Sequence, residues 1–156
     1  MLARLVLAAT LAATPVAAAE WQYTQVKNDF SDRVVHLAGV DGERSSFVVS
    51  CSLGEYKAML FLEALPPGAD SGSTAFLVRV DKRPPRTYPS DILVRVEGSA
   101  PVIELQKADI DTLAAATHRI FVGYTLNNQL TFEDAYDVDG VRASLEKLTD
   151  RCRDNT

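Results

Sequence analysis

The chain has 156 residues, 47% of them hydrophobic, with 21 acidic against 16 basic side chains, a net charge of −5, two cysteines and two histidines. An acidic balance of this kind argues against a nucleic-acid binder, which needs a basic face to meet phosphate. No His-x-x-x-His or Cys-x-x-Cys spacing points to a metal, and beyond the N-terminus no stretch is apolar for long enough to cross a membrane as a helix.

Met1 to Ala19 reads as a secretory signal. A single basic residue, Arg4, precedes the apolar run Leu5 to Ala13, and Pro15 and Ala17-Ala18-Ala19 supply an A-x-A cleavage site before Glu20. A membrane anchor is the alternative, but the run is short and alanine-rich for a span. No cysteine stands at the cleavage site to carry a lipid. The rest, residues 20–156, is 137 residues long (156 less 19), one domain's worth with enough chain for a core. The expected location is the periplasm or the medium.

Trp21 to Val26 alternates bulky and polar residues, the period of a half-buried strand. Arg33–Leu37 and Ser45–Cys51 read as a hairpin around the turn signal Gly39-Val40-Asp41-Gly42. Tyr56–Glu63, apolar almost throughout, is a strand covered on both faces or a short helix. Gly54 before it and Pro66-Pro67-Gly68 after it favour the strand, and Pro66 to Ser73 reads as a loop. Phe76–Asp81 and Ile92–Glu97 are two further strands sharing Leu-Val-Arg-Val-acid. Lys82 to Pro89 between them holds three prolines and cannot be a regular central strand.

Val102–Leu105 is a short strand, and Ala108–Ala116 a short helix with acids in its first turn. Arg119–Leu126 and Gln129–Glu133 flank Asn127-Asn128, two residues that tolerate positive φ and suit a tight primed turn. Asp139 is the expected N-cap of a terminal helix. On that helix Val141, Leu145, Leu148 and Cys152 fall at i, i+4, i+7 and i+11, one face. The expected fold is α+β: mainly antiparallel sheet, a short middle helix, and a C-terminal helix packed on the sheet.

In an exported chain Cys51 and Cys152 would pair, tying the last helix to an early strand. The enclosed loop of about 100 residues gives an entropic contribution of about 4–5 kcal/mol. Two free thiols, one of them catalytic, are the alternative, poorly protected in an oxidising compartment.

Catalytic spacings are thin. His36 and His118 each stand at a strand edge, and Ser50 and Ser52 lack the glycines of a Gly-x-Ser-x-Gly elbow. The expectation is therefore no enzyme, no catalytic residue, no cofactor and no metal. Asp134 to Gly140 approaches a calcium loop begun at Ala135, with Asp137, Asp139, Gly140 and Glu146 in register, but position 1 is alanine. A turn from strand into helix is the favoured reading. The basic cluster Arg79, Lys82, Arg83 and Arg86, with Arg95 alongside, opposes the net charge. It could dock an acidic protein surface or a phosphorylated envelope glycan. The alternative is an exposed edge loop kept soluble by charge and proline.

The order of signal, Trp21, a Val49-Ser50-Cys51 strand, a Val78-Arg79-Val80-Asp81 strand and a late helix from Val138-Asp139-Gly140-Val141 to Cys152 resembles the VasI-like family. These are small periplasmic proteins associated with type VI secretion clusters. The resemblance brings no catalytic residues. It implies a non-enzymatic accessory or binding role in the envelope, with an inhibitor or immunity protein directed at an envelope hydrolase as the alternative. Such an inhibitor would plug its target with Pro66–Ser73 or the Asn127-Asn128 turn, because a rigid loop binds at low entropic cost.

Overall fold

A computed structural model describes residues 19–27, 33–64, 67–68, 73–95 and 98–153, the side chains of 92–99 excepted. The signal reading, all but Ala19 of it, lies outside these residues, as do most of the 66–73 loop, Val96 and Glu97 at the end of a predicted strand, and the side chain of Arg95.

The elements run β1 (Gln22–Lys27), β2 (Val34–Asp41), β3 (Ser45–Ser52), β4 (Glu55–Leu62), β5 (Thr74–Val80), β6 (Arg86–Pro89), β7 (Asp91–Arg95), β8 (Gly98–Leu105), α1 (Lys107–Ala114), β9 (Ile120–Leu126), β10 (Gln129–Tyr136) and α2 (Val141–Arg153). They form two sheets, a six-stranded one in the order β1-β2-β3-β4-β8-β7 and a four-stranded one in the order β10-β9-β5-β6. Every pairing among them is antiparallel. The expected α+β architecture is present, with one sheet resolved into two.

Strand periodicity sets the core. In β2 His36, Ala38 and Val40 point inward, opposite Cys51, Val49 and Phe47 of β3. Because that alternation continues through Gly39 and Val40, β2 runs on to Asp41 and the chain turns at Gly42, Glu43 and Arg44, later than the glycine signal suggested. β4 is the strand favoured over a helix, with Ala58, Met59 and Leu60 buried in succession. The proline-bearing β6 lies at the edge of the smaller sheet, where an unpaired proline nitrogen costs no ladder bond. Asn127 and Asn128 take φ values of 52° and 64° in the β9–β10 turn, the primed geometry their side chains tolerate.

Phe47 joins the layers. Its ring meets Trp21 edge-on at 5.9 Å and Tyr136 of β10 at 5.7 Å. Beside it the Ser45 hydroxyl donates to Asp134 Oδ2 at 2.8 Å and shares a hydrogen bond with the Tyr136 hydroxyl, so these three side chains satisfy one another between the sheets. A single buried cluster takes in residues of both sheets and both helices.

α2 lies against β1, β2, β3 and α1. Its face is the expected one: Val141, Leu145, Leu148 and Cys152 are each 2% exposed or less. Cys152 is bonded to Cys51, Cα atoms 5.8 Å apart, within ordinary bridge geometry. The helix start differs from expectation. Gly140, not Asp139, directly precedes Val141, at φ +74°, and a Cβ there would meet the Trp21 carbonyl oxygen at 2.9 Å. That close approach exists because Trp21 is bound into the turn. Its N–H donates to Asp139 O at 2.9 Å, its indole Nε1 to Asp137 O at 2.9 Å, and its carbonyl accepts from Ser144 Oγ at 3.1 Å.

Two stability tests follow from this packing. Leu145→Ala should cost about 2–5 kcal/mol in urea denaturation, since Leu145 is fully buried, and reduction of the wild-type bridge should speed amide exchange in α2 before it does so in the central strands. Exchange rising first in β3 and β4 would show that the bridge holds the sheet rather than the helix. At the β3–β4 turn, Leu53 sits at φ 54° and 56% exposed, followed by Gly54 at φ 80°. A leucine gains nothing in the left-handed region, so Leu53→Asn should raise stability by roughly 1 kcal/mol, read as an upward shift of the urea midpoint.

Candidate functional site

β5 turns its Phe76, Val78 and Val80 side into the core, and the chain then reverses through Lys82–Pro85 to return as β6. The reversal is tight: Asp81 adopts φ 55° and the Arg83 N–H donates to Val80 O at 3.1 Å. α1 packs below it. Between the β5–β6 arm, the six-stranded sheet and α1 opens a cavity of about 60 Å³. Phe47, Val78, Val80, Leu105 and Leu113 supply its apolar walls, and Arg83, Pro84, Arg86, Tyr88, Asp109 and Thr112 complete the lining.

Asp109 organises the rim. It is only 4% exposed, yet its carboxylate accepts from the Gln106 N–H at 2.9 Å, from the Tyr88 hydroxyl at 2.9 Å and from the Arg86 guanidinium. A buried carboxylate so supplied has its lone pairs matched, which offsets the cost of burying it, whereas removing one donor would leave them unmet. Gln106 precedes α1 and Asp109 is its third residue, so the same contact closes the helix N-terminus in the manner of a capping box. Burial first, then the adjacent Asp109 carboxylate, pushes the Tyr88 phenol up to about 12. It therefore donates at every physiological pH. The Arg86 side chain lies 61% exposed, with its guanidinium 5.5 Å from the Tyr88 ring centre.

A second carboxylate locks the frame. Asp81 receives the backbone N–H of Thr117, His118 and Arg119 at 3.1, 2.7 and 3.1 Å, and the Thr117 hydroxyl at 3.1 Å. Partial desolvation pulls upward, but these donors prevail and hold the carboxyl at about 2, against 3.8 ordinarily. The β5–β6 turn is thereby fastened to the loop between α1 and β9.

The four basic residues singled out in the sequence do not act as one cluster. Arg83 and Arg86 line the cleft, Lys82 is exposed on the turn beside it, and Arg79 lies on the other face of the smaller sheet with its guanidinium 4.1 Å from the Phe121 ring centre. β5 alternation explains the split, because Val78 and Val80 face in while Arg79 faces out. Lys82 and Arg83 form no ion pair with any described residue. Asp109, Tyr88 and Thr112 were not anticipated as site residues. Gln106-x-x-Asp109 is not the Ser/Thr-x-x-Glu/Gln pattern that signals a capping box, and the meeting with Tyr88 depends on a pairing distant in sequence.

The histidines do not build a relay. His36 is 3% exposed, hydrogen-bonded through Nδ1 to the Tyr23 hydroxyl at 2.8 Å and stacked on that ring. His118 is 80% exposed and uses Nδ1 toward the Thr117 hydroxyl at 2.9 Å, with Asp81 at 3.9 Å on the same nitrogen. A base oriented by a carboxylate on one nitrogen and serving a nucleophile on the other is not formed. In the stretch tested against a calcium loop, Ala135 belongs to β10, Asp134 bonds Ser45 and Arg44 N, and Asp137 pairs with Arg119 at 3.4 Å, so these carboxylates point to separate partners.

No protein-family model and no curated protein matches the chain. Among solved structures it is similar to the crystal structure of invasion-associated protein B from Bartonella henselae, with a TM-score of 0.54 and 14% identity over 88% of this chain and 96% of that one. At that identity the likeness is one of fold.

The Asp81 lock has a signed pH dependence. A carboxyl held below its unfolded value stabilises the folded state above about pH 4 and loses that contribution as pH falls through about 2. Asp81→Asn, which keeps a residue tolerant of positive φ, should melt below wild type at neutral pH, with the difference shrinking below about pH 4. A gap independent of pH would assign the loss to geometry rather than charge.

Proposed function

We propose that this chain is an exported, non-enzymatic accessory or binding protein of the cell envelope, acting in the periplasm on a protein partner. The observation that carries the reading is the pairing of an apolar cleft with cations that no described residue neutralises, Lys82 and Arg83. Spare charge beside desolvated apolar surface is the pattern of a recognition site, since the charge steers the approach and the apolar part supplies affinity. At about 60 Å³ the cavity is far smaller than the roughly 300 Å³ or more of a cofactor or substrate pocket. The Cys51–Cys152 bridge and the apolar N-terminus support export. Among the described residues no helix is long and apolar enough to cross a membrane. The layout, which resembles that of VasI-like proteins, supports an accessory role.

A second reading, an inhibitor or immunity protein for an envelope hydrolase, draws on the other end of the smaller sheet. There the Asn127 N–H donates to Ser73 O at 2.8 Å, and Asn127 Oδ1 accepts from the Ser73 N–H at 3.1 Å. The asparagine turn is thus tied to the end of the 66–73 loop, and a tip fixed in this way could plug a cleft at low entropic cost. Purified protein that inhibits no enzyme in a panel of lysozymes and amidases would retire this reading.

For the leading reading, the double variant Lys82→Glu with Arg83→Glu is the suitable probe. Arg86 is left alone because its loss would unbalance Asp109. Wild type should retain a partner from envelope extracts that the variant loses. Equal recovery by both would sink the basic turn as the binding surface.

A further inference from the structure

We infer that the cleft between the β5–β6 arm and α1 seats the C-terminal residue of a partner polypeptide, a small aliphatic side chain against Val78, Val80 and Leu113 and the free carboxylate on Arg83. This occupant rests on the reading that the protein binds a partner through this face.

Size, charge and the requirements of a chain end select it. About 10–15 Å³ of such space houses one water, so a cavity of about 60 Å³ has room for roughly four to six waters, enough for one aliphatic side chain and too little for an acyl chain. A mostly apolar cleft of this size holds water, and an aliphatic group that displaces that water gains by its burial. Its lining holds one carboxylate, Asp109, and that group is already bound by Arg86, Tyr88 and the Gln106 N–H. Asp109 therefore neither claims Arg83 nor strongly repels an incoming anion. With Arg86 and Asp109 cancelling, Arg83 and the neighbouring Lys82 outweigh the ionised Asp81 of the same turn by about one positive charge, and a guanidinium suits a carboxylate through two parallel donors.

Apolar filling and negative charge must then arrive together in a very short span. A C-terminal residue carries both on one Cα. An internal Asp or Glu would have to bring its aliphatic neighbour from another residue and also find a path for the chain to leave. A phosphorylated glycan supplies the charge without the apolar group.

The test is fluorescence anisotropy with an N-terminally labelled pentapeptide ending in Ala-Val, as the free acid and as the C-terminal amide, together with an amidated peptide bearing an internal Asp. The free acid should bind, the amide should bind about tenfold more weakly or worse, and raised salt should weaken the acid alone. Arg83→Gln should bring the acid down to the level of the amide. Thr112→Phe, which places bulk at the cleft mouth on a partly exposed helix position, should abolish binding while its thermal melt stays near wild type. Equal binding of acid and amide, tightest binding by the internal Asp peptide, or an Arg83→Gln variant that binds like wild type overturns the assignment. If no peptide binds, the C-terminal occupant is excluded. The wider binding reading then survives only if the Lys82→Glu, Arg83→Glu variant still loses its envelope partner, so the two failures are told apart.

Discussion

α2 is thirteen residues long, and a helix of that length is marginal in water without tertiary support. What supports it here is restraint at both ends. At the start, Trp21 donates twice into the turn before the helix and accepts from Ser144, while Gly140 leaves room for the Trp21 carbonyl. At the end, Cys152 is bonded to Cys51, 101 residues earlier in sequence. Between these points runs a stripe of Val141, Leu145 and Leu148 on β1, β2 and β3. Trp21, a central strand and the last helix are thus one mechanical unit. The α1–α2 contact extends the same restraint to the helix that carries Asp109.

Two carboxylates fix the other side of the molecule, and each does so by collecting donors that would otherwise be unmet. Asp81 takes three successive backbone N–H groups of the α1–β9 loop. Asp109 takes the N–H at the start of α1, a phenol and a guanidinium. One binds the β5–β6 turn to the loop after α1, the other binds β6 to the beginning of α1. The cleft therefore lies in a frame closed at both ends of the same helix. A cavity so framed keeps its shape without a ligand, which lowers the entropy lost when one is bound. The cations outside the frame, Lys82 and Arg83, have no such structural duty.

Much of this was legible locally. The asparagine turn, the helical stripe, the pairing of the two cysteines and the exclusion of Lys82–Pro89 from a central strand each follow from one residue type or one period, and all are in the structure. Gly39 and Gly42 signal a turn, but the alternation of His36, Ala38 and Val40 carries the strand straight through Gly39 and outweighs it. Local sequence points to Asp139 as the cap, whereas Trp21, distant in the chain, occupies its carbonyl and makes Gly140 the necessary residue before the helix. The division into two sheets hinges on β4 with β8 and β5 with β9, pairings between strands far apart in sequence that no local pattern specifies. For the same reason the basic residues were visible as charges, but the cleft beside two of them was not.

The separation of Arg79 from Arg83 and Arg86 shows how far a charge run can be trusted. All stand within eight positions of one another, and composition alone treats them as one field. Period-two alternation in β5 sends Arg79 to the outer face, where its guanidinium covers Phe121. Arg86 is drawn inward by a buried carboxylate that would be costly to leave unpaired. Arg83 meets neither condition: it sits on the turn, after the alternation has ended and before β6 begins, at the edge of an apolar cavity. Of the three arginines, then, the first is used for packing and the second for stability. The third is the one whose charge the fold itself does not consume.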